Sequence, residues 1–206
     1  MKQRIRKSTL QDAQHFVRIK NKLPLPKENK NTTQGGFLLG TDINTYKFYI
    51  ENGHCLTAII NDEIVGFGII LPNQLVKSSE LWGKRKKVKW AININDLENK
   101  NISYIEQLAF LKGHRKLSIV LSYNLVKMGF SEGADFMLTT TVKKPIVNAA
   151  AMPYIKSIGG FKIGNIDEIY PKIGSINSDI YLIKKNTFYK KIEKLSFYNL
   201  LKSNEL

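Results

Sequence analysis

Apolar positions along this chain alternate between a two-residue and a roughly three-and-a-half-residue rhythm, and the switches mark its elements. Residues 3–7 predict a short strand, with Ile5 among basic neighbours. Ser8 or Thr9 then caps a helix from about Leu10: Ser8-x-x-Gln11 fits a capping box, and Ala13, Phe16, Val17 and Ile19 supply an apolar stripe. Between Asn21 and Gly40, Pro24, Pro26, an Asn/Lys run and Gly35-Gly36 predict a loop. A loop of that length inside a compact domain is usually functional or mobile. Thr41 or Asp42 starts a second helix carrying Tyr46, Phe48, Tyr49 and Ile50, and Gly53 ends it. Residues 56–60 and 63–71 form a hairpin about Asn61-Asp62, stopped by Pro72.

Residues 73–101 have no clean period. They hold a basic cluster (Lys84, Arg85, Lys86, Lys87, Lys89) flanked by Trp82 and Trp90. Such interleaving suits either an amphipathic hairpin or helix, or stacking of nucleic-acid bases. Residues 102–111, with a near-continuous apolar second half, predict a central strand covered on both faces. Leu117, Val120, Leu121, Leu125 and Met128 fall at helical spacing, with Gly129 or Gly133 as the end. Residues 136–141 predict a β-branched strand. Pro145 suits the first turn of a following helix; 161–170 and 176–184 predict two more strands separated by Pro171 and Gly174. From Asn186 onward, Phe188, Ile192, Leu195, Tyr198 and Leu201 predict a Lys-rich amphipathic helix.

The chain has 206 residues, enough for one domain with a sizeable core, 1–185, and the C-terminal helix, 186–206, packed on it or extending it. No apolar run approaches the roughly 20 residues that span a bilayer, and the basic N-terminus lacks the apolar core of a signal peptide. Cys55 stands alone, and no Cys/His spacing suits zinc, so no metal is expected. The expected compartment is the cytoplasm. Net charge is +15, which favours an anionic partner or reflects a Lys- and Asn-rich coding bias.

The segment Asn148-x-x-Ala151-x-x-Tyr154, followed by Gly160-Phe161, puts an amide, a small residue and a phenol at spacing of three, on one face of a helix. Together with the start at 5–13, and with Ile105-Glu106-Gln107-Leu108-Ala109-Phe110 leading into a basic loop and a helix, it resembles the GCN5-related N-acetyltransferase (GNAT) superfamily over residues 3–185. The resemblance implies an α/β (α+β) fold: a mixed, mostly antiparallel sheet of about seven strands, helices on both faces, and a splayed central cleft. It implies acetyl-CoA or another acyl-CoA as co-substrate, lying in that cleft against the exposed backbone of Leu108, Ala109 and Phe110. A free strand edge is a template for such an extended, amide-bearing partner. The family's phosphate loop is Gln or Arg, two residues, Gly, one residue, then Gly or Ala. Here Gly113, His114, Arg115, Lys116, Leu117 and Ser118 occupy that stretch: aligned from Leu121, Gly113 takes the basic position and Lys116 and Ser118 the glycine positions, and slid by two residues Arg115 takes the basic position with Ser118 and Val120 in place of the glycines. A helix N-terminus with cationic side chains still offers N–H groups and charge to a pyrophosphate.

Acyl transfer to an amine requires a base for the amine proton, donors for the thioester oxygen and an acid for the leaving thiolate. Tyr154 is the candidate acid and Glu106 the candidate base, working through a water. By strict alternation Glu106 shares a face with Tyr104, Leu108 and Phe110. Backbone N–H groups of Leu108 and Phe110 are candidate pantetheine and oxyanion contacts, and Asn148, beside Ala151, the grip on the pantetheine arm. Phe37, Tyr170 and the Trp82/Trp90 region are candidate walls of the acceptor pocket. The expected function is N-acyl transfer, most simply N-acetyl transfer, to a small-molecule or peptide amine. Alternatives are a longer acyl chain or an acidic acyl-carrier protein as donor, and a non-catalytic module binding nucleic acid.

Overall fold

Local signals fix the first elements of the chain. In the computed structural model, which describes residues 2–26, 32, 36–170 and 173–206, strand β1 (Gln3–Lys7) runs through a 3-10 turn at Leu10–Asp12 into helix α1 (Ala13–Asn21). The turn is closed by Asp12, whose carboxylate accepts the Thr9 N–H at 2.9 Å. The reciprocal cap therefore lies one residue beyond the expected Ser8–Gln11 pair. Arg6 fixes this choice, donating to both Asp12 oxygens at 2.6 and 2.9 Å. Burial alone would raise the Asp12 carboxyl; the Arg6 guanidinium, the Thr9 N–H and the Thr57 hydroxyl outweigh it and hold it below the usual range.

Helix α2 (Ile43–Asn52) starts where Asp42 accepts the Thr45 N–H at 2.8 Å and ends at Gly53. Strands β2 (His54–Ile60) and β3 (Glu63–Leu71) meet at Asn61 and Asp62, both with positive φ (46° and 66°), as a two-residue hairpin loop requires. The segment 73–101 is neither one hairpin nor one helix. It is a chain of short pieces: α3 (Asn73–Ser78), α4 (Glu80–Gly83), a 3-10 turn (Lys84–Lys87), β4 (Lys89–Trp90) and α5 (Asn95–Glu98). Its tryptophans turn inward. Trp90 Nε1 donates to the Arg85 carbonyl at 2.9 Å, the Arg85 guanidinium lies 5.2 Å from the Trp82 ring, and both rings pack on the core.

The remaining elements are β5 (Ile102–Phe110), α6 (Arg115–Ser131), β6 (Phe136–Lys144), α7 (Met152–Ser157), β7 (Phe161–Tyr170), β8 (Gly174–Lys184), α8 (Lys185–Ile192) and α9 (Tyr198–Lys202). The C-terminal segment is thus two helices, not one. They cover the outer side of α6, where Asn124 and Tyr123 bond Asn204 and Glu205. This explains why α6 buries residues all round its axis. No helix among the described residues is long and apolar enough to cross a membrane.

One sheet organises the molecule: eight strands in the order β1-β2-β3-β5-β6-β8-β7-β4, β4 being the addition to the seven expected. Every neighbouring pair is antiparallel except β5 and β6. One face is covered by α1, α2 and the 73–101 segment, centred on Phe16 stacked on Phe67 at 4.1 Å with Tyr46 edge-on to both. The other lies beneath α6 and the C-terminal helices, around Leu121, Leu125, Phe130 and Phe188. The Asn/Lys run at 27–31, Gly35 and Pro171 lie outside the described residues.

Candidate acyl-transfer site

The sheet opens between its two parallel strands. β5 and β6 are in register from Ile102↔Phe136 to Ile105↔Thr139 and no further. Beyond that point β5 stays with β3 as far as Phe110, while β6 stays with β8 as far as Lys144. Two side-chain bonds mark the crotch: Thr139 Oγ1 donates to the Ile105 carbonyl at 3.2 Å, and the Tyr104 and Thr140 hydroxyls lie 2.7 Å apart. Past the crotch, β5 has a partner on one side only. The Leu111 N–H donates to Val65 of β3, so alternation turns the backbone groups of Phe110 and Leu108 the other way, into the gap. The same alternation commits Ala109, 2% exposed, to β3, and its expected contact with a ligand is not available. Gly66 in β3 leaves room for the Phe110 ring: a Cβ there would come within 2.3 Å of it.

Strict alternation fails within β5. Ile69 pairs with Gln107 and Ile70 with Ile105, leaving Glu106 as the extra residue of a β-bulge. Tyr104 and Gln107 therefore face α2, whereas Leu108 and Phe110 face α6. The expected common face of Tyr104, Glu106, Leu108 and Phe110 does not exist. The bulge sends Glu106 to the α2 side. Its charge is felt there by Tyr46, Tyr49, Tyr104 and Tyr170, whose phenols are raised chiefly by burial and further by that carboxylate. Glu106 has no hydrogen bond or ion pair among the described residues. Burial pushes its carboxyl up to about 7. Its neighbour is firmly held: Gln107 accepts from the Tyr46 hydroxyl at 2.8 Å and donates to the Thr41 hydroxyl at 2.7 Å.

Tyr154 approaches from the opposite face. It lies on α7, which follows β6, and packs on the core beneath α6, which follows β5. It thus reaches across the gap towards Ser122, whose hydroxyl is already given to the Ser118 carbonyl at 2.6 Å. Among the described residues the Tyr154 O–H is buried with no well-formed hydrogen bond, and burial, offset only in part by the neighbouring Ser122 hydroxyl, raises it well above the ordinary phenol range.

Asn148 is not on the helix of Tyr154. The residues after Lys144 are irregular, and Asn148 precedes a 3-10 turn, Ala149–Ala151, before α7 begins at Met152 with Pro153 in its first turn. The proline that opens the helix is therefore Pro153, not Pro145. The Asn148 amide donates to the Phe37 carbonyl at 3.2 Å, and the Ala149 N–H donates to Thr32 Oγ1 at 2.7 Å. Together they tie the α1–α2 connection, on the β5 side, to the segment that follows β6. Ala151 closes the 3-10 turn, half-buried.

The turn before α6 matches the expected anion site in outline. Gly113 has φ 93°, His114 precedes the helix without a side-chain cap, and the first turn has no acidic residue. The Ser118 N–H is bonded to the His114 carbonyl at 2.9 Å, leaving the N–H groups of Arg115, Lys116 and Leu117 as unpaired helix-start donors. The Leu117 side chain is in the core, and Ser118 turns its hydroxyl back to the Arg115 carbonyl at 2.7 Å. Lys116 leans to the far flank of α6, over a groove of about 300 Å³ walled by β1 and the C-terminal residues. The acidic residue of that groove, Glu205, is already engaged by Lys127 and Lys202. At the parting of the strands, a carboxylate and a phenol without a hydrogen-bond partner among the described residues lie on the two faces of the sheet.

No known family model matches this sequence, and no curated protein matches it either. Solved structures do share its fold. An N-acetyltransferase from Staphylococcus aureus Mu50 superposes with a TM-score of 0.60 at 11% identity, over 89% of this chain and 98% of that one. A protein from Desulfovibrio desulfuricans described as an acetyltransferase of the GNAT family gives 0.56 at 13%, over 89% and 99%. A chain of the NatC complex, solved with Gag peptide and CoA, gives 0.57 at 13%, over 89% and 99%. The fold is that of the GNAT N-acetyltransferases.

Proposed function

We propose that this GNAT-fold chain is an acyl-CoA-dependent N-acyltransferase, most simply an N-acetyltransferase, acting by direct attack of a bound amine on the thioester. The observation that carries the reading is Glu106, an unpaired and largely buried carboxylate delivered by a bulge to the place where β5 loses its second neighbour. Pairing of the pantetheine amides with the outward backbone of Leu108 and Phe110 would extend the sheet by a strand-like partner. The helix-start N–H groups at Arg115, Lys116 and Leu117 suit its pyrophosphate, with the Arg115 charge adding attraction.

The chemistry then divides between the faces. Glu106 takes a proton from the acceptor ammonium through a water. The freed nitrogen lone pair attacks the thioester carbonyl, the N–C bond forms and the C–S bond breaks. The second nitrogen proton passes to solvent as the amide forms, Tyr154 protonates the departing thiolate, and Tyr154 and Glu106 return to their starting states by exchange with solvent, one proton being released per turnover. A carboxyl tuned to about 7 is suited to that exchange near neutrality.

Two measurements test this. CoA at about 100 times its dissociation constant should add about 2.7 kcal/mol of stability. An amine panel with acetyl-CoA should release free thiol with at least one acceptor. Absence of both a CoA-induced shift and thiol release, with stabilisation by single-stranded oligonucleotide instead, overturns the reading.

A further inference from the structure

Resting on that reading, we propose that the acceptor carries a second positive charge, remote from the reacting nitrogen, and that Glu168 is the specificity-determining residue that holds it where the Lys84 ammonium now sits.

The argument starts from the sheet. On β7, Ile166 belongs to the core of the α2 face, so alternation puts Glu168 and Tyr170 on that same face, the one to which the bulge sends Glu106. Tyr170 then reaches back across the opening: its ring lies against Gly40, next to Thr41, whose hydroxyl is bonded to Gln107. Tyr170 thus roofs the ground beside Glu106, and Glu168 stands one strand repeat away along the same wall. The mutual influence of the two carboxylates on the Tyr104 and Tyr170 phenols agrees with this placement. Two acids and several phenol rings make a cation-seeking enclosure in a chain whose net charge is +15.

An ammonium already occupies its far end. Lys84 Nζ lies 3.1 Å from Glu168 Oε1 and 2.9 Å from Glu80 Oε1. The two acids differ: the Glu168 side chain is 16% exposed, the Glu80 side chain 83%. An incoming ammonium can take over the sheltered Glu168 while Lys84 keeps its exposed i,i+4 partner Glu80. Lys84 therefore marks the subsite and competes for it. An acceptor with a single amine would leave that competition unused.

The test compares terminal alkyl diamines with alkyl monoamines of matched length, by calorimetric binding and by acetyl-CoA turnover. Diamines should bind and react at least about tenfold better, as expected of a charge-assisted contact. Glu168→Gln should raise KM for the diamine about tenfold and leave the monoamine unchanged, which also shows that the variant is folded. Lys84→Met should lower the diamine KM severalfold, whereas a merely structural ion pair would give a loss of thermal stability and no change in KM. Equal use of monoamines and diamines, or of neutral peptide N-termini and diamines, overturns this inference and leaves acyl transfer standing. Loss of all turnover, with no effect of CoA on stability, overturns both.

Discussion

Strand β5 pairs with β6 over 102–105, is flanked by β3 as well at 104–105, and beyond the bulged Glu106 pairs with β3 alone over 107–110. The first half is Ile102, Ser103, Tyr104 and Ile105, all buried between cores. The second contains a carboxylate without a partner and backbone groups turned into a gap. One strand thus holds a region built for stability next to a region built for binding, divided by a bulge and two threonine bonds. Substitutions in the first half should cost folding free energy, and substitutions in the second should cost rate.

The largest effect belongs to the closed half. Ile102→Ala, at a position with no exposure, should lower unfolding free energy in urea by about 3 kcal/mol, with the residual folded protein still binding CoA. A loss below about 1 kcal/mol would mean that this half is not the anchor.

Next is Glu106→Gln, expected to lower kcat/KM about a hundredfold. Because burial raises the carboxyl to about 7, the base form fills only above that pH. The wild-type rate should therefore climb with pH through about 7, and the variant should lack that limb. Stability runs the other way. A group raised on folding contributes fully below its ordinary range and loses that contribution as pH climbs through about 7. The variant should then be at least as stable as the wild type at pH 8. Retention of the rising limb in Glu106→Gln would assign the base elsewhere.

Tyr154→Phe comes third. Its O–H has no well-formed hydrogen bond to lose among the described residues, so stability should hold or rise slightly, CoA affinity should stay, and turnover should fall about tenfold, read by steady-state kinetics beside a CoA titration. An unchanged turnover removes the acid.

The contrast within β5 also explains what the sequence disclosed. The succession of the seven long strands along the chain, the Asn61-Asp62 hairpin and the Asp42 cap are written in local chemistry, and the structure has them where alternation and capping put them. The bulge is not local. It exists because β3 and β5 differ in count by one residue between two paired positions, which no reading of β5 alone reveals; hence the wrong common face for Glu106, Leu108 and Phe110. Asn148 was misplaced for a related reason. Three alanines extend a helix-like pattern backwards from Pro153, but the Asn148 amide is drawn to the Phe37 carbonyl across the opening, a contact between residues far apart in sequence. Trp82 and Trp90 likewise look like a stacking surface until Arg85 is seen to occupy one ring and accept from the other. The Lys84–Glu168 pair joins two segments that share no pattern at all.

The smallest expected effect lies on the boundary itself. Tyr104 belongs to the closed half by burial and to the open half by its hydroxyl, which meets Thr140, the first residue of β6 beyond the paired stretch. Tyr104→Phe keeps the ring and the packing and deletes that bond, at a cost of about 1 kcal/mol. If the bond pins the crotch, the loss should also appear as a raised KM for acyl-CoA with kcat little changed, because a crotch that shifts along the strands alters how the outward groups of Leu108 and Phe110 meet an extended partner. Should stability fall with KM untouched, the parting of β5 and β6 is set by the bulge and Thr139 alone, and Tyr104 belongs wholly to the folded half.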